Sequence, residues 1–91
     1  MNISILEDNI VQQYRIETII KEILEEHQLQ YHNFEVFGKP KQLLEAISEK
    51  GSHQIFFLDI EIKTEEEKGL DVAKKIREID PYAIIVFVTS H

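Results

Sequence analysis

Short apolar runs alternate with amphipathic stretches along this chain, and the two periods separate cleanly. Ile3-Ser4-Ile5-Leu6 is a β-type run that stops at Glu7-Asp8-Asn9. Beyond it, Ile16, Ile19, Ile20, Ile23 and Leu24 keep the i, i+3, i+4, i+7, i+8 spacing that gathers side chains on one helical face, and that face is expected to be core. Glu17, Lys21, Glu22, Glu25 and Glu26 fall mostly outside it, as a surface helix requires. Phe34-Glu35-Val36-Phe37 predicts a second strand ending at Gly38. Pro40 then suits the first turn of a helix, where its missing N–H has no partner to lose. Leu43, Leu44 and Ile47 supply that helix's apolar side, and Gly51-Ser52 closes it. Ile55-Phe56-Phe57-Leu58 is apolar without interruption, the pattern of a central parallel strand covered on both faces. A polar loop from Lys63 to Lys68 leads into a third helix from about Gly69, carrying Leu70, Val72, Ala73, Ile76 and Ile79. Asp80-Pro81 ends it, and Ala83 to Val88 predicts a fourth strand rich in β-branched residues.

The order β-α-β-α-β-α-β predicts an α/β fold, a doubly wound parallel sheet with helices on both faces. Ligands of such sheets bind at the carboxyl ends of the strands, near the switch in strand order. Strand one ends in Glu7-Asp8, strand three in Asp59 and strand four in Thr89-Ser90. If strands one and three are neighbours, three carboxylates converge beside a hydroxyl. Carboxylates that close repel one another unless a cation or a proton sits among them. Oxygen donors with no His or Cys nearby favour Mg²⁺ over zinc, and Mg²⁺ at one or two carboxylates points to phosphoryl chemistry. Against this stands a purely structural role, because Asp8 or Asn9 is also a natural N-cap for the first helix. Any one acidic residue at a strand end fits that role; the combination across three strands fits a site.

Composition narrows the class. The 91 residues allow one domain, and 43% hydrophobic content argues against disorder. Seventeen acidic against ten basic side chains give a formal charge of −7, which disfavours binding to nucleic-acid phosphates by this chain itself. There is no Cys, so disulfides, thiolate catalysis and Cys-based zinc sites are excluded, in keeping with a cytoplasmic setting. The longest strongly apolar run, Ala83 to Val88, is far short of the roughly 20 residues of a membrane span. Glu7 and Asp8 follow directly on Leu6 with no basic start, unlike a signal peptide.

Taken in order, Ile5-Leu6-Glu7-Asp8-Asn9, Phe56-Phe57-Leu58-Asp59-Ile60, Gly69-Leu70 and Val86-Phe87-Val88-Thr89-Ser90 resemble the receiver domain of bacterial two-component response regulators. The Phe57-Leu58-Asp59-Ile60-Glu61 phrase and the Phe87-Val88-Thr89-Ser90-His91 ending resemble the branch with a LytTR-type DNA-binding output domain. The resemblance runs over the whole chain. It implies a flavodoxin-like fold, a cytoplasmic location and a role as a signalling switch in transcription regulation rather than an enzyme. It also implies that Asp59 accepts a phosphoryl group from a histidine kinase. Asp8 would hold Mg²⁺ directly, Glu7 through water, and Glu61 by its backbone carbonyl. Thr89 matches the hydroxyl residue that senses the new phosphoryl oxygens, which the added charge turns into a switch.

Measured against the family pattern, the chain ends at His91, directly after strand four. The expectation is a C-terminally truncated receiver over 1–91, lacking the final helix-strand-helix, the phosphoryl-pairing Lys and the output domain. Strand four then becomes an apolar edge, and self-association through Ala83 to Val88 is expected. The Glu65-Glu66-Glu67 run reads as a solvated loop, and His27, His32, His53 and His91 as surface or boundary residues without ligand spacing. A kinase is expected to use the exposed side of the first helix near Asp59. The competing function is a receiver-like interaction module that is never phosphorylated. A phosphohydrolase with an Asp nucleophile would carry Asp-x-Asp on its opening strand, and a flavin protein a Ser/Thr/Gly-rich loop after it; neither is present.

Overall fold

Asn9 begins the first helix by capping it: its backbone is extended, and its Oδ1 accepts a hydrogen bond from the Gln12 N–H at 3.0 Å. The computed structural model describes residues 1–47, 53–60 and 68–88. Within them the elements are β1 (Asn2–Leu6), α1 (Ile10–Glu26), β2 (Asn33–Phe37), α2 (Pro40–Ala46), β3 (Gln54–Asp59), α3 (Gly69–Ile79) and β4 (Ile84–Val88). This is the predicted alternation, with Pro40 in the first turn of α2 and Asp80 capping the end of α3. α2 stops at Ala46 with the extended Ile47 as its C-cap, short of the Gly51-Ser52 expected to close it, and those two residues lie outside the described ones.

The strands form one parallel sheet in the order β2-β1-β3-β4. Ile5 is in register with Val36 on one side and Phe57 on the other, while Asp59 faces Val88. Alternation along the strands divides the interior into two cores. Leu6, Phe56 and Leu58 pack with Leu43 of α2 and with Val72 and Ile76 of α3. On the opposite face, Ile3 and Ile5 pack with Ile20 and Leu24 of α1, and Ile16, Val36 and Phe57 close over them.

The two faces are not equally covered, and four expectations are corrected. Ile19 and Ile23 are 54% and 48% exposed, not core. Their helix meets the sheet along the Ile16, Ile20, Leu24 row, and Ile19 sits about a quarter-turn to one side of it. A helix about 10 Å across spans about two strands spaced about 4.8 Å apart. Among the described residues α1 alone packs on this face, so its β3 and β4 half stays open. Ile55 and Phe57 are therefore only half-buried and Ile84 is exposed, whereas Phe56 and Leu58 on the other face are fully buried. Leu70 is also exposed, because it lies opposite the Val72/Ile76 stripe of α3. The fourth strand starts at Ile84; Ala83 is buried in the turn before it.

Beneath the sheet, a buried polar tie joins α3 to β3. Asp80 accepts from Gln54 Nε2 at 2.8 Å on one oxygen and from the Tyr82 N–H at 3.0 Å on the other. Arg77 in the last turn of α3 donates to the carbonyls of Pro81 and Ala83, at 2.8 and 2.6 Å. Together these contacts fix the turn that sends the chain into β4.

Candidate functional site

β1 and β3 are neighbours, so the residues at their carboxyl ends share one crevice. Glu7 follows directly on the buried Leu6. Its N–H donates to the Phe37 carbonyl at 3.0 Å and its carbonyl accepts from Gln13 Nε2 at 2.6 Å. Its side chain is buried, while that of Asp8 is exposed. Asp59, the last residue of β3, is buried, and the next N–H, that of Ile60, donates to the Val88 carbonyl at 3.3 Å. Gly69 at the start of α3 packs against the same Asp59 backbone.

This arrangement brings one carboxylate oxygen each from Glu7, Asp8 and Asp59 within 4.8 Å of one another. Since Asn9 caps α1, the structural role weighed for Asp8 is taken by its neighbour. Glu7 carries the electrostatic cost of the cluster. Burial, a hydrogen bond with Asp59 and the charges of Asp59 and Asp8 push its pKa up to about 8, against a smaller opposing effect from a backbone hydrogen bond at Asp8. Glu7 Oε2 is buried with no hydrogen-bond partner among the described residues. An orphaned acceptor of this kind costs about 1–3 kcal/mol. A hard divalent cation at the crevice would satisfy that oxygen and neutralise its neighbours, and the all-oxygen donor set fits Mg²⁺.

The structure thus unites three of the predicted site residues. Thr89 and Glu61 lie outside the described residues, as do His91 and the Glu65–Glu67 run. His27, His32 and His53 are exposed, as expected of surface residues. One residue at the crevice, Gln13, had no legible signal, reading in the sequence as an ordinary polar position of a helix. Gly69 stands in the sequence as a helix start and in the family resemblance; only the fold shows what each one touches.

No family model matches the chain. The accessory gene regulator protein A of Staphylococcus aureus (strain N315) is 32% identical over 91 residues, covering all of this chain and 38% of that protein. The Staphylococcus epidermidis protein of the same name is 31% identical over the same span. The chain therefore spans 38% of the length of these curated relatives. Among solved structures, the two-component response regulator RcsB in its DNA complex superposes with a TM-score of 0.73 at 16% identity, over all of this chain and 43% of that one. That likeness concerns the fold.

Proposed function

We propose that this chain, similar over its whole length to part of the accessory gene regulator protein A of Staphylococcus aureus, is a response-regulator receiver domain and a phosphoryl-accepting switch in which Asp59 takes the phosphoryl group of a histidine kinase's phosphohistidine. The observation that carries this reading is the crevice at the ends of β1 and β3, where Glu7, Asp8 and Asp59 converge around a buried Glu7 oxygen with no hydrogen-bond partner among the described residues. A protein that needed these residues only for folding would not orphan a buried acceptor there.

In this reading Asp59 is the nucleophile, its carboxylate held by the end of β3. Asp8 would hold Mg²⁺ with it, Glu7 through water, and the resemblance adds the Glu61 carbonyl as a further ligand; bound there, the ion would supply neutralisation of charge on the transferring group. The chain's own part is positioning, which supplies most of the rate in phosphoryl transfer. Thr89 hydrogen-bonds the phosphoryl oxygens of the aspartyl phosphate and passes the change on.

The partner surfaces follow from exposure. Ile10, Val11 and Tyr14 stand on the first turns of α1 beside the crevice, each more than three-fifths exposed, and form the docking surface for the kinase. β4 pairs only with β3 among the described residues and carries no charged side chain, which supports self-association through Ile84 to Val88. Among the described residues no helix is long and apolar enough to cross a membrane. A cytoplasmic setting and transcriptional output through a DNA-binding portion of a longer protein complete the proposal.

Intact mass after incubation with a small phosphodonor and Mg²⁺ tests it. One added phosphoryl group is expected, dependent on Mg²⁺ and absent in Asp59→Asn. An unchanged mass under all conditions favours an interaction module that works without phosphorylation.

A further inference from the structure

The geometry points to Gln13 as a positioning residue for the Glu7–Asp8 pair, acting through the Glu7 carbonyl; the assignment rests on the reading of the crevice as a divalent-cation site. Gln13 sits in the first turn of α1, half-buried, and its backbone N–H makes the ordinary helical bond to the Asn9 carbonyl at 2.9 Å. Its side chain turns back and donates to the Glu7 carbonyl at 2.6 Å. The preceding peptide, Leu6–Glu7, is also held, because the Glu7 N–H donates to the Phe37 carbonyl at 3.0 Å. Glu7 is therefore clamped between the end of β2 and the start of α1.

The orientation of the Glu7 carbonyl fixes the plane of the Glu7–Asp8 peptide, and with it the direction in which the Asp8 side chain leaves the backbone. Asp8 is exposed and lies two residues past Leu6, the last residue of β1. Gly38 in the neighbouring loop lies beside this contact: a Cβ on it would meet Gln13 Nε2 at 3.6 Å and the Glu7 carbonyl oxygen at 4.0 Å, ordinary van der Waals distances. Gln13 touches no carboxylate in the cluster; it works at one remove, as groups around metal ligands commonly do.

The test is the affinity for Mn²⁺ alone, with the free ion counted by electron paramagnetic resonance, in the parent chain and in Gln13→Met. The methionine keeps the length and neutrality of the side chain and removes the donor. About a tenfold or greater loss of affinity is expected, the range for groups that orient metal ligands. Gln13→His, a neutral donor at pH 8, is expected to regain most of it. Should Gln13→Met fail to fold, Gln13→Asn carries the test with the same amide one methylene too short. The Asp8 amide signal in ¹H–¹⁵N spectra supplies a cation-free readout, expected to move in Gln13→Met and to return in Gln13→His. A parent that binds Mn²⁺ alongside variants within twofold of it overturns the assignment to Gln13 and leaves the cation site standing. A parent that binds no Mn²⁺ overturns both.

Discussion

A methyl group placed on Gly69 would lie 2.3 Å from the carbonyl oxygen of Asp59 and 3.0 Å from the Cα of Ile60. No side chain fits there without moving backbone, so the first residue of α3 and the last of β3 are in direct contact. Gly69→Ala should displace the proposed phospho-acceptor and destabilise the fold by about 1–3 kcal/mol, the usual cost of overpacking. Thermal unfolding reads the stability, and phosphorylation by a small donor should slow by more than the fraction unfolded accounts for.

The two faces of the sheet make opposite predictions for apolar substitutions. Leu58 is fully buried in the α2/α3 core, and Leu58→Ala should cost about 2–5 kcal/mol. Ile19 is more than half exposed, and Ile19→Ser should stay within about 0.5 kcal/mol of the parent. Urea denaturation distinguishes them; equal losses would place Ile19 in the core after all.

Those two residues also mark how far the sequence could be read. The helical spacing of Ile16 to Leu24 was enough to find α1, and the unbroken Ile55-Phe56-Phe57-Leu58 run was enough to find a central strand. Neither pattern says how many helices share a face, and that number decides whether Ile19, Ile23 and Ile84 are covered. Glu7, Asp8 and Asp59 were legible because parallel strands carry their ends to one rim whatever the details of packing. The contacts of Gln13 and Gly69 were not, since a side chain returning to a carbonyl six residues back and a backbone contact across a loop leave no period in the sequence.

Glu7 makes the cation-free chain sensitive to pH. Its folded pKa of about 8 lies above the ordinary 4.5, so between these values the folded state keeps a proton that the unfolded state has lost. This contribution to stability is complete below pH 4.5 and is lost as the pH rises through 8. Unfolding in a chelator should therefore become easier from pH 6 to pH 9, and Glu7→Gln should abolish that component. Mg²⁺ should reverse the trend, because its binding displaces the proton and strengthens as pH rises.

Asp80 anchors the opposite end of the sheet from the crevice. Asp80→Ala removes the acceptor of both the Gln54 amide and the Tyr82 N–H within a buried site. A loss of about 2–4 kcal/mol is expected from two such bonds. Mn²⁺ affinity, measured on the fraction still folded, should be unchanged.

The half-covered α1 face has a colloidal consequence. Each copy of the chain carries a formal charge of −7, which holds copies apart, while the open strip along Ile84 and Val86 draws them together. Salt weakens the first force far more than the second, since the Debye length falls from about 10 Å at 0.1 M to about 3 Å at 1 M. Association that added salt promotes, where contacts made by charge pairs would dissolve, is the signature in sedimentation of a surface kept dispersed by its charge.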